Sequence, residues 1–176
     1  MKTLIAYYSF TENNEKLAEY LQKRINCAIV RVETVKNRNS FSILLDLIFN
    51  RVPETKTISC SLKDYDHVIF LAPIWAGKIA MPMKSFLVKE KSNIAEYSFI
   101  TICGGGNPDQ KQKIRKQLAE VIQKEPLDVV ELWVNKLFPQ GGVKPTSALR
   151  IDETDLNKFQ AEIGNFLSEQ MLIDAI

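Results

Sequence analysis

Residues 6–18 of the chain, AYYSFTENNEKLA, join an apolar run to a helical pattern through a short polar stretch. Small or polar residues fill positions 9–14 except for Phe10. The apolar residues that follow lie on one face of a helix, at Leu17, Ala18, Leu21 and Ile25. These three parts predict a buried strand, a tight loop and the beginning of a helix.

The loop at positions 9–14 is a candidate phosphate site. A loop of this kind gathers free backbone N–H groups, hydroxyls, amides and the positive end of a helix dipole. No Lys or Arg lies between Thr3 and Glu15, so neutral dipoles would hold an anion here. Ser, Thr and Asn are also the usual capping residues of helices, so a turn without a ligand is the alternative.

Composition indicates one ordinary globular domain over residues 1–176, with 45% apolar and 25% charged residues. The net charge of +2 argues against a dedicated nucleic-acid binder. The chain has neither a membrane-spanning apolar run nor a signal-peptide pattern. The three cysteines are widely spaced, without a CxxC pair, which favours reduced thiols in the cytoplasm over disulfides or a zinc site.

Strand and helix patterns alternate along the chain. The predicted strands are residues 2–8, 27–32, 67–72, 97–102 and 129–134. The predicted helices are residues 13–25, 41–49, 81–91, 108–124 and 152–172. This alternation predicts a parallel sheet of five strands in the order 2-1-3-4-5, with helices on both faces. Ligands of such sheets bind at the carboxyl ends of the strands.

The stretch at 41–49, FSILLDLIF, is strongly apolar with helical spacing. One interpretation is a helix that covers a face of the sheet. The other is that its remaining apolar side chains form a surface for a partner.

Two further loops are expected at the carboxyl edge. In the loop at 73–80, Trp75 would either stack on a planar ligand or pack over the next helix. Gly77 would let a ligand approach the main chain. The turn at 103–107, CGGGN, would press backbone N–H groups against a ligand or form a flexible turn capped by Asn107.

His67 is the only histidine, and it begins a predicted strand at the edge away from these loops. A surface or hydrogen-bonded structural role is therefore expected for it. Ser-His or Cys-His catalysis and histidine metal sites are disfavoured, and neither catalytic nor metal residues are assigned. Position 109 is Asp109, where a phosphatase loop beginning at Cys103 would need Arg. These absences assign the chemistry to a cofactor.

Two motifs resemble those of flavodoxins. YSFTENN at 8–14 is similar to the flavodoxin phosphate loop S/T-x-T-G-x-T. PIWAGKIAMPMKSFL at 73–87 is similar to the second loop and following helix of flavodoxin-like proteins. The resemblance implies a flavodoxin-like three-layer α/β/α sandwich that binds FMN.

The resemblance also implies which residues hold FMN. The phosphate would be bound by Ser9, Thr11, Asn13 and Asn14, with Phe10 contributing only its backbone and Glu12 lying in the same loop. The isoalloxazine ring would lie against the loop formed by Pro73, Ile74, Trp75, Ala76 and Gly77. Its pyrimidine edge would meet Cys103, Gly104, Gly105, Gly106 and Asn107. Glu12 replaces the loop glycine and Asn14 replaces the final threonine, which is expected to weaken binding.

The implied function is electron transfer with NAD(P)H or a redox partner protein, with a homodimer as one arrangement. Flavodoxin shuttles are typically acidic, whereas this chain is slightly basic, which favours an FMN-dependent oxidoreductase. The alternative is a flavin-free flavodoxin-like module that binds a partner through the segment at 41–49.

Overall fold

A computed structural model of the chain describes residues 1–36, 51–104, 107–137 and 149–170. Its main sheet contains β1 (Thr3–Tyr7), β2 (Ala28–Arg31), β3 (His67–Leu71), β6 (Glu96–Cys103) and β7 (Val129–Trp133). All neighbouring strands of this sheet are parallel, in the order β2-β1-β3-β6-β7. A separate antiparallel ribbon pairs β4 (Ile74–Trp75) with β5 (Lys78–Ile79). The prediction of a five-stranded sheet in the order 2-1-3-4-5 is confirmed.

Helices cover both faces of the sheet. They are α1 (Asn13–Ile25), α2 (Met81–Glu90), α3 (Gln110–Ile122), α4 (Glu153–Asn157) and α5 (Gln160–Glu169). The apolar side chains of α2 and α3 pack in one core cluster, and those of α1, α4 and α5 pack in another. The fold is therefore the three-layer sandwich that the alternating pattern predicts.

The central strands supply both cores. On β1, Leu4 and Ala6 point into the cluster under α2 and α3, whereas Ile5 and Tyr7 point into the other cluster. Successive side chains of a strand face opposite sides of a sheet, so a strand buried on both faces must be apolar throughout. This requirement explains why the apolar runs of the sequence locate the central strands.

The C-terminal helical pattern is interrupted, which corrects the prediction of one helix over 152–172. Lys158 and Phe159 separate α4 from α5, and Leu156 and Phe159 are both buried in the same core. The Asp152 side chain caps α4 by accepting a 3.0 Å hydrogen bond from the N–H of Asp155. On either side of this interruption, Leu156 of α4 and Phe166 of α5 are buried in the same core.

The predicted helix at 41–49 lies outside the described residues. In the ranges that are described, no helix has the length and apolar character needed to cross a membrane. The same ranges contain no group of three His, Cys, Asp or Glu side chains that would hold a metal ion.

Candidate functional site

The three candidate loops meet at the carboxyl edge of the parallel sheet. The main-chain N–H of Tyr8 donates to the oxygen of Leu71 at 2.8 Å, which joins the end of β1 to the end of β3. The hydroxyl of Thr101 donates to the oxygen of Ala72 at 2.7 Å, which joins the end of β3 to β6. The loops that follow these strands are therefore neighbours, as the sequence predicts.

The first loop contains a buried hydroxyl without a partner. Ser9 is 7% exposed, and its Oγ has no hydrogen-bond partner among the described residues. Buried polar groups in folded proteins are nearly always hydrogen-bonded, so the Ser9 hydroxyl is available to bond a group placed at this loop. Ser9 directly precedes the turn that leads into α1.

The N-terminus of α1 is not capped by a side chain. Glu12, at the N-cap position, has a left-handed backbone with φ of 67°, and its carboxylate makes no capping bond. The first helical bond runs from the N–H of Lys16 to the oxygen of Glu12, at 2.9 Å. The N–H groups of the three residues between them have no acceptor within the helix. Together with Ser9, these donors suit an anion.

The side chain of Asn13 is bonded to the segment that precedes α4. Its Nδ2 donates to the oxygen of Leu149 at 3.1 Å, and its Oδ1 accepts from the N–H of Ile151 at 3.1 Å. Both polar ends of the amide are thus occupied by the segment before α4. A ligand at the first loop would meet the main-chain N–H of Asn13.

Asn14 is also engaged away from the loop. Its Oδ1 accepts a 3.1 Å hydrogen bond from the N–H of Ile102, near the end of β6. For Asn13 the assignment to a phosphate therefore concerns the main-chain N–H, and for Asn14 it concerns the main-chain N–H and the Nδ2 group. The sequence gives no signal for these contacts, because the partners lie 88 to 138 residues away.

A cation approaches the first loop from β2, which sequence analysis missed. Arg31 Nη1 donates to Glu15 Oε1 at 2.8 Å, and the hydroxyl of Tyr7 donates to the same oxygen at 2.9 Å. Burial, followed by the bond to Glu15, raises the pKa of Tyr7 to about 12. The charge of Arg31 is paired with Glu15. The hydrogen-bond donors that the first loop offers to an anion are therefore still neutral groups.

The second loop forms the β4–β5 ribbon. Ala76 and Gly77 form its tip with φ of 48° and 73°, the two left-handed positions of a tight hairpin turn. Gln117 of α3 holds the ribbon, since its Nε2 donates to the oxygen of Gly77 at 3.0 Å. Its Oε1 accepts from the N–H of Ile79 at 3.2 Å. The loop is closed at its base by a 3.0 Å bond from Ala80 to the oxygen of Pro73.

Trp75 stands in an aromatic cluster that joins the first and second loops. Its ring meets Tyr8 edge-on at a centroid distance of 6.1 Å and Phe10 at 6.2 Å. Phe10 was expected to contribute only its backbone, and the structure adds a side-chain contact with Trp75. Trp75 is half-buried, so its ring is fixed by neighbours while part of it remains exposed.

The third loop begins at the buried end of β6. Cys103 is 5% exposed, and Gln110 Nε2 lies 3.5 Å from its Sγ and 2.5 Å from Glu131 Oε1. The side chain of Asn107 accepts a 3.1 Å bond from the N–H of Asp109 just before α3. Gly104 is exposed at the start of the turn, and residues 105–106 lie outside the described residues.

Residues 50–133 match a family model described as a flavodoxin domain. No curated protein matches the sequence. A flavoprotein from Lactobacillus acidophilus NCFM, solved in complex with FMN, is 21% identical with a TM-score of 0.64, over 77% of this chain and 95% of that one. A putative flavoprotein from Bacteroides eggerthii is 16% identical with a TM-score of 0.64, over 92% and 97%. A putative quinone reductase from Klebsiella pneumoniae is 12% identical with a TM-score of 0.54, over 97% and 85%. These structures show that the fold is flavodoxin-like.

Proposed function

We propose that this flavodoxin-like chain binds FMN without a covalent bond and transfers electrons, as an NAD(P)H-dependent oxidoreductase or with a separate reductase. The unpartnered hydroxyl of Ser9, buried beside the uncapped N-terminus of α1, carries the proposal. A phosphate monoester would supply the acceptors that these donors lack. The FMN complex of the Lactobacillus flavoprotein supports this choice of ligand.

Each of the three loops would bind a different part of FMN. Ser9, Thr11 and the first N–H groups of α1 would hold the phosphate. Trp75, Ala76 and Gly77 would lie beside the ring, and residues 103–107 would contact its pyrimidine edge. When bound, FMN supplies one- and two-electron redox chemistry, and the protein supplies binding and orientation.

The choice of an oxidoreductase over a shuttle rests on charge and on one structural likeness. The chain has a net charge of +2, whereas flavodoxin shuttles are typically acidic. The structural likeness to a putative quinone reductase favours an enzyme. Within this domain, a hydride donor would stack directly on the flavin ring.

The visible absorption spectrum of the purified protein, before and after addition of FMN, tests the proposal. A resolved flavin spectrum that NADPH or NADH bleaches without oxygen is the result expected for a reductase. Bound flavin that neither nucleotide reduces would indicate a carrier that needs a separate reductase. Absence of binding at saturating FMN would overturn the proposal.

The Ser9→Ala substitution tests the phosphate site within that proposal. FMN affinity should fall by about tenfold, because a hydrogen bond to a charged group is lost. Riboflavin has no phosphate, so its affinity should stay unchanged. Ser168→Ala is the matched control, since Ser168 lies on α5 near the opposite edge of the sheet.

A flavin-free binding module is the second candidate, and Glu12 favours it. The carboxylate of Glu12 stands at the phosphate loop, and its backbone occupies a left-handed conformation that glycine adopts more easily. Both features oppose phosphate binding. A protein that folds but leaves the spectrum of added FMN unchanged would support this candidate.

A further inference from the structure

We propose that Asn14 is a positioning residue that sets the third loop relative to the phosphate-binding turn. Its side chain would then control recognition of the flavin ring, whereas Ser9 controls recognition of the phosphate. The inference rests on the proposed FMN function.

The side chain of Asn14 accepts a hydrogen bond from β6 beyond the point where β3 pairs with that strand. Regular pairing of β3 with β6 ends at Phe70 and Phe99, although β6 continues to Cys103. Beyond that point, Asn14 Oδ1 accepts the N–H of Ile102 at 3.1 Å. Asn14 is 3% exposed, so the amide provides a buried acceptor where the neighbouring strand provides none.

The main chain and the side chain of Asn14 serve opposite ends of the site. Asn14 is the second residue of α1, so its N–H has no acceptor within the helix and belongs to the anion-binding turn. Its Oδ1 holds Ile102, one residue before Cys103 and the third loop. A single residue therefore connects the phosphate end with the loop assigned to the ring.

The flavodoxin pattern has threonine at this position, and that difference defines the role. The Oδ1 of Asn14 is bonded to the N–H of Ile102 on β6. Loss of the Oδ1 acceptor would leave the buried N–H of Ile102 unpaired and release the end of β6. Cys103 and Gly104, with which the third loop begins, would then lose their fixed position while the donors of the first loop stayed in place.

Dissociation constants for FMN and riboflavin separate ring positioning from phosphate binding. Asn14→Ala should weaken both ligands by the same factor, at least tenfold. Asn14→Asp keeps an acceptor oxygen for Ile102 but adds a carboxylate at the phosphate turn. It should therefore restore riboflavin binding while FMN stays weak. Unlike Asn14→Ala, Ser9→Ala should weaken the binding of FMN and leave the binding of riboflavin unchanged.

A loss confined to FMN in Asn14→Ala would overturn the inference, because it would assign the side chain to the phosphate. Unchanged affinity for both ligands would overturn it as well. Equal loss for both ligands in Asn14→Asp would show that the acceptor oxygen is not what positions the loop.

Alkylation of Cys103 tests the same inference in the flavin-free protein. N-ethylmaleimide labelling, resolved by peptide, should be several-fold faster at Cys103 in Asn14→Ala and close to wild type in Asn14→Asp. Cys27 and Cys60 are half-buried thiols elsewhere in the fold and serve as internal controls. Unchanged Cys103 labelling would overturn the inference even in a protein without FMN. If the protein binds no flavin but Cys103 is labelled as expected, only the proposed function is overturned.

Discussion

Gln117 of α3 donates a 3.0 Å hydrogen bond from Nε2 to the main-chain oxygen of Gly77, at the tip of the second loop. Its Oε1 accepts the N–H of Ile79 at 3.2 Å. A ribbon of two residues per strand has little stability of its own. The amide of one helix residue therefore fixes the loop that carries Trp75.

Replacement of Gln117 by Ala should loosen this loop. It leaves two partly buried main-chain groups without partners, so the free energy of unfolding should fall by about 1–2 kcal/mol. Urea unfolding measures that loss, and faster hydrogen exchange at the Ile79 amide locates it. FMN affinity should also fall several-fold if the loop contacts the ring.

Gln112→Ala is the control for Gln117→Ala. Gln112 lies on the exposed side of the same helix, so the two substitutions share their effect on helix propensity. Equal losses of stability in both variants would show that the bonds to the ribbon contribute nothing.

Glu12→Gly should strengthen FMN binding. The substitution relieves a left-handed conformation that costs a non-glycine residue roughly 1–2 kcal/mol, and it removes a negative charge near the phosphate site. Glu12→Gln removes the charge but keeps the side chain and the strain. A gain in both variants that shrinks at high salt assigns the effect to charge, and a gain in Gly alone assigns it to the backbone.

FMN titrations of the three proteins also discriminate between the two candidate functions. Little change in Glu12→Gly means that the wild-type loop already accommodates Glu12. Binding that appears only in Glu12→Gly would indicate a fold that has lost its flavin.

The sheet and its order were predictable because central strands must be apolar on both faces. The run at 67–72 and the run at 2–8 satisfy that requirement, and each ends where a loop begins. Parallel strands bring their carboxyl ends to one edge, so the three loops could be placed together without coordinates.

The side-chain hydrogen bonds that hold the loops of the site in place were not predictable. Gln117 reaches Gly77 across 40 residues, and Asn14 reaches Ile102 across 88. Such bonds depend on where the folded chain brings an amide, and no local pattern encodes that. The β4–β5 ribbon was not predicted for another reason. Its turn places Ala76 in a left-handed conformation that alanine rarely adopts.

Asn13→Ala should destabilise the fold more than most single substitutions. It removes both partners of the segment before α4, at Leu149 and Ile151, and leaves two buried main-chain groups unpaired. The expected loss is roughly 2–4 kcal/mol in urea unfolding. Asn13→Asp keeps the acceptor for Ile151 and adds a favourable charge at the start of α1, so its loss should be smaller. Equal losses would contradict a role for the retained acceptor.

His67 should make the protein less stable as the pH falls from about 6.5 toward 4. The side chain is fully buried, and burial lowers its pKa to about 4. Ser98 donates its hydroxyl proton to Gln170 Oε1 at 2.7 Å, so His67 Nε2–H donates to Ser98 Oγ at 3.0 Å. The remaining nitrogen, Nδ1, is buried without a partner in the described part of the chain, and a proton there would be unpaired.

The sign follows from proton binding. Between pH 6.5 and 4 the unfolded chain binds a proton at His67 that the folded protein does not, so lower pH favours unfolding. With a shift from 6.5 to about 4, the histidine accounts for about 3 kcal/mol across that range. Urea unfolding at pH 7.0, 6.0, 5.0 and 4.5 measures the slope.

His67→Gln provides the comparison, because an amide at this position can still donate to Ser98 but does not titrate. Its stability should change less between pH 6.5 and 4.5 than that of the wild type. Most carboxylates titrate below this window, and they are common to both proteins. Parallel pH dependences in the two proteins would show that His67 is protonated equally in the folded and unfolded states.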